Sequence, residues 1–325
     1  LANLNPKAAT GDALGPTNNR LPLRLIEVIR TLFYTPIYVS VAGGFLEKEG
    51  LDVDFKTCPP EFGHPMSALN QGAADIAQSG IMRSIIASDW GAETVPMHFA
   101  EINSRDGFFV ISRTNQDSFQ WESLKGAELI PVGFSPMPWA SFQYALHRHN
   151  IEPSEVDLVT GLDLDQAMAA FREGKAEYIH VPQPAAEQLL EDGSGHLAIA
   201  LGPENGHLAY SSFAATNHYL ATQSETVHRF TVGYANGLDW LSAHNATEVG
   251  EAVAGFFPQV SLELVIKSVA RLKAQDNWPT DPTLAQPQFE NLHDILLAAG
   301  LAKERQSYSK MVRTDIVATA LASRK

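Results

Sequence analysis

The sequence predicts an α/β protein of two lobes joined by two crossing strands, with a helical tail that returns to the first lobe. Three observations lead there. A helix–glycine–strand–loop unit occurs twice. Its first copy is Pro65–Gly80, where Met66, Leu69, Ala73 and Ile76 are the apolar positions, Gly72 stops the helix and Ala74–Ala77 reads as a short buried strand. Its second copy is Asp165–Pro184, with a stop at Gly174, a strand over Tyr178–Val181 and a loop at Pro182–Pro184. Next, Leu23–Ile29, Ile37–Ala42 and Leu51–Thr57 read strand, helix, strand, a crossover that makes the strands parallel. Last, the pattern after Gln223 is helical.

Taken in order, Leu23–Ile29, Leu-Arg-Leu-Ile-Glu-Val-Ile, is the first strand. The loop Arg30–Pro36 enters a helix where proline is tolerated in the first turn. Gly43–Gly50 closes that helix, and Leu51–Thr57 alternates apolar with charged residues. After the proline-rich loop Cys58–His64 come the first repeat unit, a helix over Ile81–Trp90 and a strand over Thr94–Ala100. Phe108–Ser112 is the expected crossing into the second lobe. There, strands are expected at Glu128–Val132, Val156–Thr160 and His196–Ala200, with a helix over Trp139–His149. Tyr210–Thr216 is the expected return. Helices follow over Glu225–Ala243, Ala246–Phe256, Leu262–Leu272, Pro287–Ala299, which Gly300 stops, and Lys310–Ala322. The domain division is thus a flexible tail over 1–20, one lobe from 21–110 and 211–325, and a second from 111–210. A cleft between two such lobes is a natural place for a small ligand.

The chain has 325 residues and a formal net charge of −14, which argues against a nucleic-acid or anionic-membrane partner. Its one cysteine, Cys58, allows no internal disulfide and no cysteine-based metal site, and no cofactor motif is present. No apolar run approaches the roughly 18–20 residues that span a bilayer. The chain begins at Leu1 with no signal segment, so the expectation is that an upstream segment was removed and that the tail tethers an exported, periplasmic or extracellular body, with a lipid anchor as one form.

The stretch Pro36–Val53, Pro-Ile-Tyr-Val-Ser-Val-Ala-Gly-Gly-Phe-Leu-Glu-Lys-Glu-Gly-Leu-Asp-Val, is followed at matching distances by Leu69–Asp75, Ser123–Gly126 and Ala170–Glu177. Together these resemble the substrate-binding proteins of nitrate/sulfonate/taurine-type ABC importers, a group that includes binders of thiamine-pyrimidine precursors. The resemblance runs over roughly residues 23–300. It implies a type-II periplasmic-binding-protein fold, a small-molecule solute caught between the lobes, and delivery to a permease and its ATPase by a monomer.

Ligand-facing residues of such sheets stand in loops after strands. The candidates in the first lobe are Arg30, Phe33, Tyr34, Glu61, His64, Gln78, Ser79 and Arg83. Those in the second are Ser135, Met137, Trp139, Gly161, His180 and Gln183, and the hinge adds Asn103, Arg105, Tyr210 and Ser211. Bland alternatives stand beside them. Phe33 and Tyr34 also suit a loop staple, Arg83 a solvated helix face, Trp139 the core, and Glu61 and His64 an ordinary surface. Pro136 and Pro138 remove two N–H donors from the start of the second lobe's first helix, where a small oxyanion would want them. Aromatic side chains are available instead, so the expected ligand is planar, pyrimidine-like or an aromatic acid whose carboxylate pairs with Arg30, Arg83 or Arg105. A small sulfonate or other oxyanion is the alternative ligand. The rival class is an enzyme on this fold that uses Cys58 and His64.

Overall fold

The computed structural model describes residues 19–324, so residues 1–18 of the expected tail lie outside the described residues. Ten strands follow in chain order. These are β1 Leu21–Glu27, β2 Leu51–Thr57, β3 Ile76–Ser79, β4 Met97–Asn103 and β5 Phe109–Ser112. Next come β6 Glu128–Ile130, β7 Asp157–Leu158, β8 Tyr178–Val181, β9 His196–Ala200 and β10 Ser211–Ala215. They form two five-stranded sheets, ordered β2-β1-β3-β10-β4 and β7-β6-β8-β5-β9. The orders correspond position for position, and in each sheet the fourth strand runs antiparallel to the third. The antiparallel strand is borrowed from the far side of a crossing. The chain passes between sheets at 104–108 and again at 201–210. Mixed sheets with two crossings and flanking helices are the expected type-II binding-protein architecture.

The repeated unit survives at the level of single hydrogen bonds. Gly72 and Gly174 both take left-handed backbone, at φ 70° and 89°, which glycine adopts without a Cβ penalty. Each ends its helix with the same pair of bonds: Gly72 N to Leu69 O and Ala73 N to Ala68 O in one, Gly174 N to Phe171 O and Lys175 N to Ala170 O in the other. The strands that follow are β3 and β8, each at the centre of its sheet. Their last residues therefore stand at the carboxyl ends, facing the gap between sheets.

Boundaries moved where side chains bury further than the apolar run suggests. β1 starts at Leu21 and ends at Glu27, because Glu27 is itself buried and accepts from Tyr38 Oη at 2.6 Å. β3 begins at Ile76 rather than Ala74, since the glycine stop takes two more residues, and the second-sheet helix begins at Pro136, three residues before Trp139. The helical tail does more than cover the first sheet. Its long helix Ser224–Ala243 packs Phe230 and Tyr234 against Phe213 of β10, with ring centroids 4.8 Å away in each case. A later helix, Leu262–Ala274, reaches the second sheet's helix Ala185–Glu191, where Arg271 pairs with the buried Glu187 and Lys267 with Glu191 at 2.9 Å.

Candidate functional site

The strongest site lies between the two sheets, at the carboxyl ends of β1 and β3. From the first sheet come Val28, Gln78, Ser79 and Gly80, together with Met82 and Arg83 from the helix Met82–Asp89. Tyr34, in the turn after β1, joins them. The second sheet contributes Phe134, Ser135, Met137 and Pro138 at the start of the helix Pro136–Arg148. Phe108 and Tyr210 come from the two crossings, and Ser211 from the start of β10. Walls from both sheets and both crossings are the geometry of a cleft that closes on its occupant. The remaining space is about 30 Å³, room for a water or two and too little for an organic solute without movement of the walls.

The groups in this gap are mostly aromatic and apolar, with one cation. Arg83 is half-buried and forms no ion pair among the described residues. Burial holds its guanidinium below the usual arginine value, while Tyr34 and Cys58 nearby push the other way. A desolvated cation without a carboxylate is costly unless it gains one. Ser135 precedes its helix without making a side-chain cap bond, and of the next three positions only Met137 has an N–H, since Pro136 and Pro138 lack one. Arg83 is thus the cation that this lining offers. The Tyr210 hydroxyl is buried with no partner among the described residues.

Of the sequence candidates, Tyr34, Gln78, Ser79, Arg83, Ser135, Met137, Tyr210 and Ser211 meet here. Several others do not. Phe33 is fully buried: its ring occupies the space a Cβ on Gly107 would take, 2.1 Å away, and it packs edge-on to Phe108 and Tyr210. Arg30 is spent on Glu27 at 2.5 Å and lies over the rings of Tyr38, Phe55 and Phe256. Trp139 points one helical step away and packs edge-on to Phe142 at 5.5 Å. Gln183 is buried and structural. Its carbonyl accepts from Thr31 Oγ1 at 2.6 Å and Leu32 N at 3.3 Å, and its side-chain oxygen accepts from Ser268. Glu61 is exposed and Gly161 lines no part of the gap. Arg105 lies on Asp276, and Asn103 bridges Asn277 and the Phe33 carbonyl. Reading the sequence missed Val28, Met82, Phe108, Phe134 and Pro138. Phe108 carried a signal: of the neighbours Phe108 and Phe109, a strand can bury only one on each face.

The cysteine pair has the wrong chemistry for a nucleophile. Burial and the nearby Glu61 push the Cys58 thiol up, and it donates to the Pro59 carbonyl at 3.6 Å. His64 Nδ1 accepts from Ser67 N at 3.2 Å and so caps the helix Pro65–Asn70. A base engaged elsewhere leaves the thiol protonated. A larger cavity of about 430 Å³ lies beside the crossings, around Glu101, His207, Asp276 and Asp281. Its polar groups pair with each other, His207 with Asp276 at 2.9 Å and Ser104 with Glu101 at 3.2 Å, and it is open to solvent on one side of the molecule. No group of metal-ligating side chains occurs among the described residues, and no helix among them is long and apolar enough to cross a membrane.

Known proteins match along most of the chain. The alkanesulfonate-binding protein SsuA from Xanthomonas axonopodis pv. citri superposes with a TM-score of 0.68 at 16% identity, covering 95% of this chain and 99% of that one. The periplasmic nitrate-binding protein NrtA from Synechocystis PCC 6803 gives 0.70 at 15%, covering 94% and 89%. The desulfurization enzyme DSZB gives 0.68 at 14%, covering 93% and 99%, so the same fold also carries catalysis. These likenesses establish the fold. In sequence, the "Putative binding protein YtlA" of Bacillus subtilis (strain 168) is 30% identical over 297 residues, 90% of this chain and 88% of its own. The family model described as NMT1/THI5 like matches residues 33–247. Matching well over half its length, the chain belongs to the NMT1/THI5-like family.

Proposed function

We propose that this protein is the solute-capturing component of an ABC importer, and that its solute is a small acid with a flat apolar body. The observation that carries the reading is Arg83, a cation facing the gap between sheets without a carboxylate of its own. An arginine in that position takes a carboxylate or sulfonate through charge-assisted hydrogen bonds. Tyr34, Phe108, Phe134 and Tyr210 supply ring faces and edges on either side, which suit a planar body. Capture between lobes outside the cytoplasmic membrane, with delivery to a permease and its ATPase, is supported by the fold shared with importer binding proteins. A compact sulfonate without a flat body is the second reading, since Arg83 pairs with it equally well. The protonated thiol of Cys58 favours binding over turnover.

Calorimetric titration with benzoate, short alkyl sulfonates and benzamide tests the proposal. Binding of benzoate-type acids, with the neutral amide at least tenfold weaker, is the expected result. Equal binding of amide and acid, or no binding of any acid, would overturn it. Tighter binding of alkyl sulfonates than of aromatic acids would select the second reading.

A further inference from the structure

Around Phe108 lie buried polar side chains with atoms that no hydrogen bond within the described residues satisfies. Both ring nitrogens of His180 and Tyr210 Oη have no partner there, and Asp106 Oδ2 has none within hydrogen-bond geometry, with Ser141 near enough to hold that carboxyl down in part. All three residues are buried, and each neighbours Phe108. The His180 ring centroid is 5.5 Å from that of Phe108 and the Tyr210 ring 6.2 Å, while Asp106 Oδ1 accepts from Phe108 N at 2.7 Å. Tyr210 also lies within the field of Asp106.

The repeat explains why this place belongs to the cleft. His180 is the third residue of β8, as Gln78 is the third residue of β3. Gln78 lines the gap. Its counterpart does not line the gap but packs against Phe108, which does, and against Phe142 at 5.0 Å. Unpaired buried polar groups cost free energy, and a hydrogen-bonding occupant beside Phe108 would satisfy these.

Resting on the acid-binding reading above, we infer that Tyr210, which already lines the gap, forms the far end of the ligand site together with Asp106 and His180, uncovered when Phe108 turns aside, and that the three select a solute bearing a neutral hydrogen-bonding group opposite its acid. A hydroxyl, amide or ring nitrogen fits this description. The chemistry of the three groups sets the class. Burial pushes the Asp106 carboxyl up to about 7 and the His180 imidazole down to about 3, so near neutrality His180 carries no charge and the two offer both donors and acceptors. The charge recognition stays with Arg83, and the two ends together read a flat bipolar acid.

The test compares benzoate with its hydroxy-substituted isomers and the pyridine carboxylates, by calorimetry, on the full chain. The best polar member of the set is expected to bind at least tenfold tighter than benzoate. In Tyr210→Phe and Asp106→Asn, which keep ring and shape, that ratio is expected to fall to threefold or less. His180→Leu serves as a third variant, read in the same way if it folds. Acids that bind with no such preference, or a preference unchanged in both isosteric variants, would overturn this inference and leave the acid-binding reading standing. Failure of every acid to bind would overturn both.

Discussion

Replacing Arg83 with glutamine removes the cation and keeps a polar side chain of similar reach. A hydrogen bond to a charged group contributes about 1.5–3 kcal/mol. Arg83 is only half-buried, so the lower half of that range applies, about 1.5–2 kcal/mol. At 1.4 kcal/mol per decade, Arg83→Gln is expected to weaken acid binding by about ten- to thirtyfold. The free protein should behave in the opposite sense. Its guanidinium is desolvated and unpaired among the described residues, so the substitution should leave stability unchanged or raise it slightly. Titration calorimetry and urea unfolding of the same preparation measure both quantities. Affinity within threefold of the parent would refute the assignment of Arg83 as the anion anchor. A loss of more than about 2 kcal/mol in stability would show that it holds the fold instead.

Three further outcomes follow from the packing. Trp139→Ala should leave acid affinity within twofold and lower stability by about 1–2 kcal/mol, because the ring leans on Phe142 outside the gap; a tenfold affinity loss in titration would return Trp139 to the site. Arg271→Met should destabilise by about 2–3 kcal/mol in urea unfolding, since the Glu187 side chain is 4% exposed and loses its partner, and adding Glu187→Gln should restore part of that loss; additive effects would dissolve the pair. His98, between Ser84 at 3.1 Å and Ser212 at 2.7 Å, is held down to about 3 by burial. The unfolded chain takes up its proton near 6.5, so this residue's stabilising contribution is complete above that pH and is lost as pH falls toward 3. His98→Asn should therefore flatten the pH dependence of unfolding free energy by about one proton, near 1.4 kcal/mol per unit, between about pH 4 and 6; an unchanged slope in urea titrations would contradict the burial argument.

Much of the architecture was legible because it rests on local rules. The two glycine stops and the strands after them are fixed by backbone chemistry that glycine alone satisfies cheaply. The placement of Gln78 and Ser79 followed directly, since the end of a short central strand faces the ligand side of the sheet. Side-chain direction in the loops was less accessible. Phe33 and Tyr34 are adjacent, yet one fills the space over Gly107 and the other lines the gap. Nothing within the turn decides between them; the decision is made by Gly107, seventy-four positions on by chain numbering. Trp139 fails for a related reason. The helix begins three residues before it, so its face is rotated and Met137 and Pro138 stand where Trp139 was expected. Arg30 was lost to Glu27, three residues before it, and to rings that include the distant Phe256, and Gln183 to the distant Thr31 and Ser268. Arg83 was legible as a candidate, but its lack of a carboxylate partner is a property of three-dimensional placement alone.

The central claim is that an acid binds between the two sheets with its charge on Arg83. A crystal structure of the protein grown with the tightest acid from the titration panel tests it most directly. The account predicts the acid group within hydrogen-bonding distance of the Arg83 guanidinium, with its body touching Tyr34 from the first sheet's side and Phe134 from the second. An acid bound in the larger cavity around Glu101 and Asp281, or held by one sheet only with Arg83 free, would contradict it.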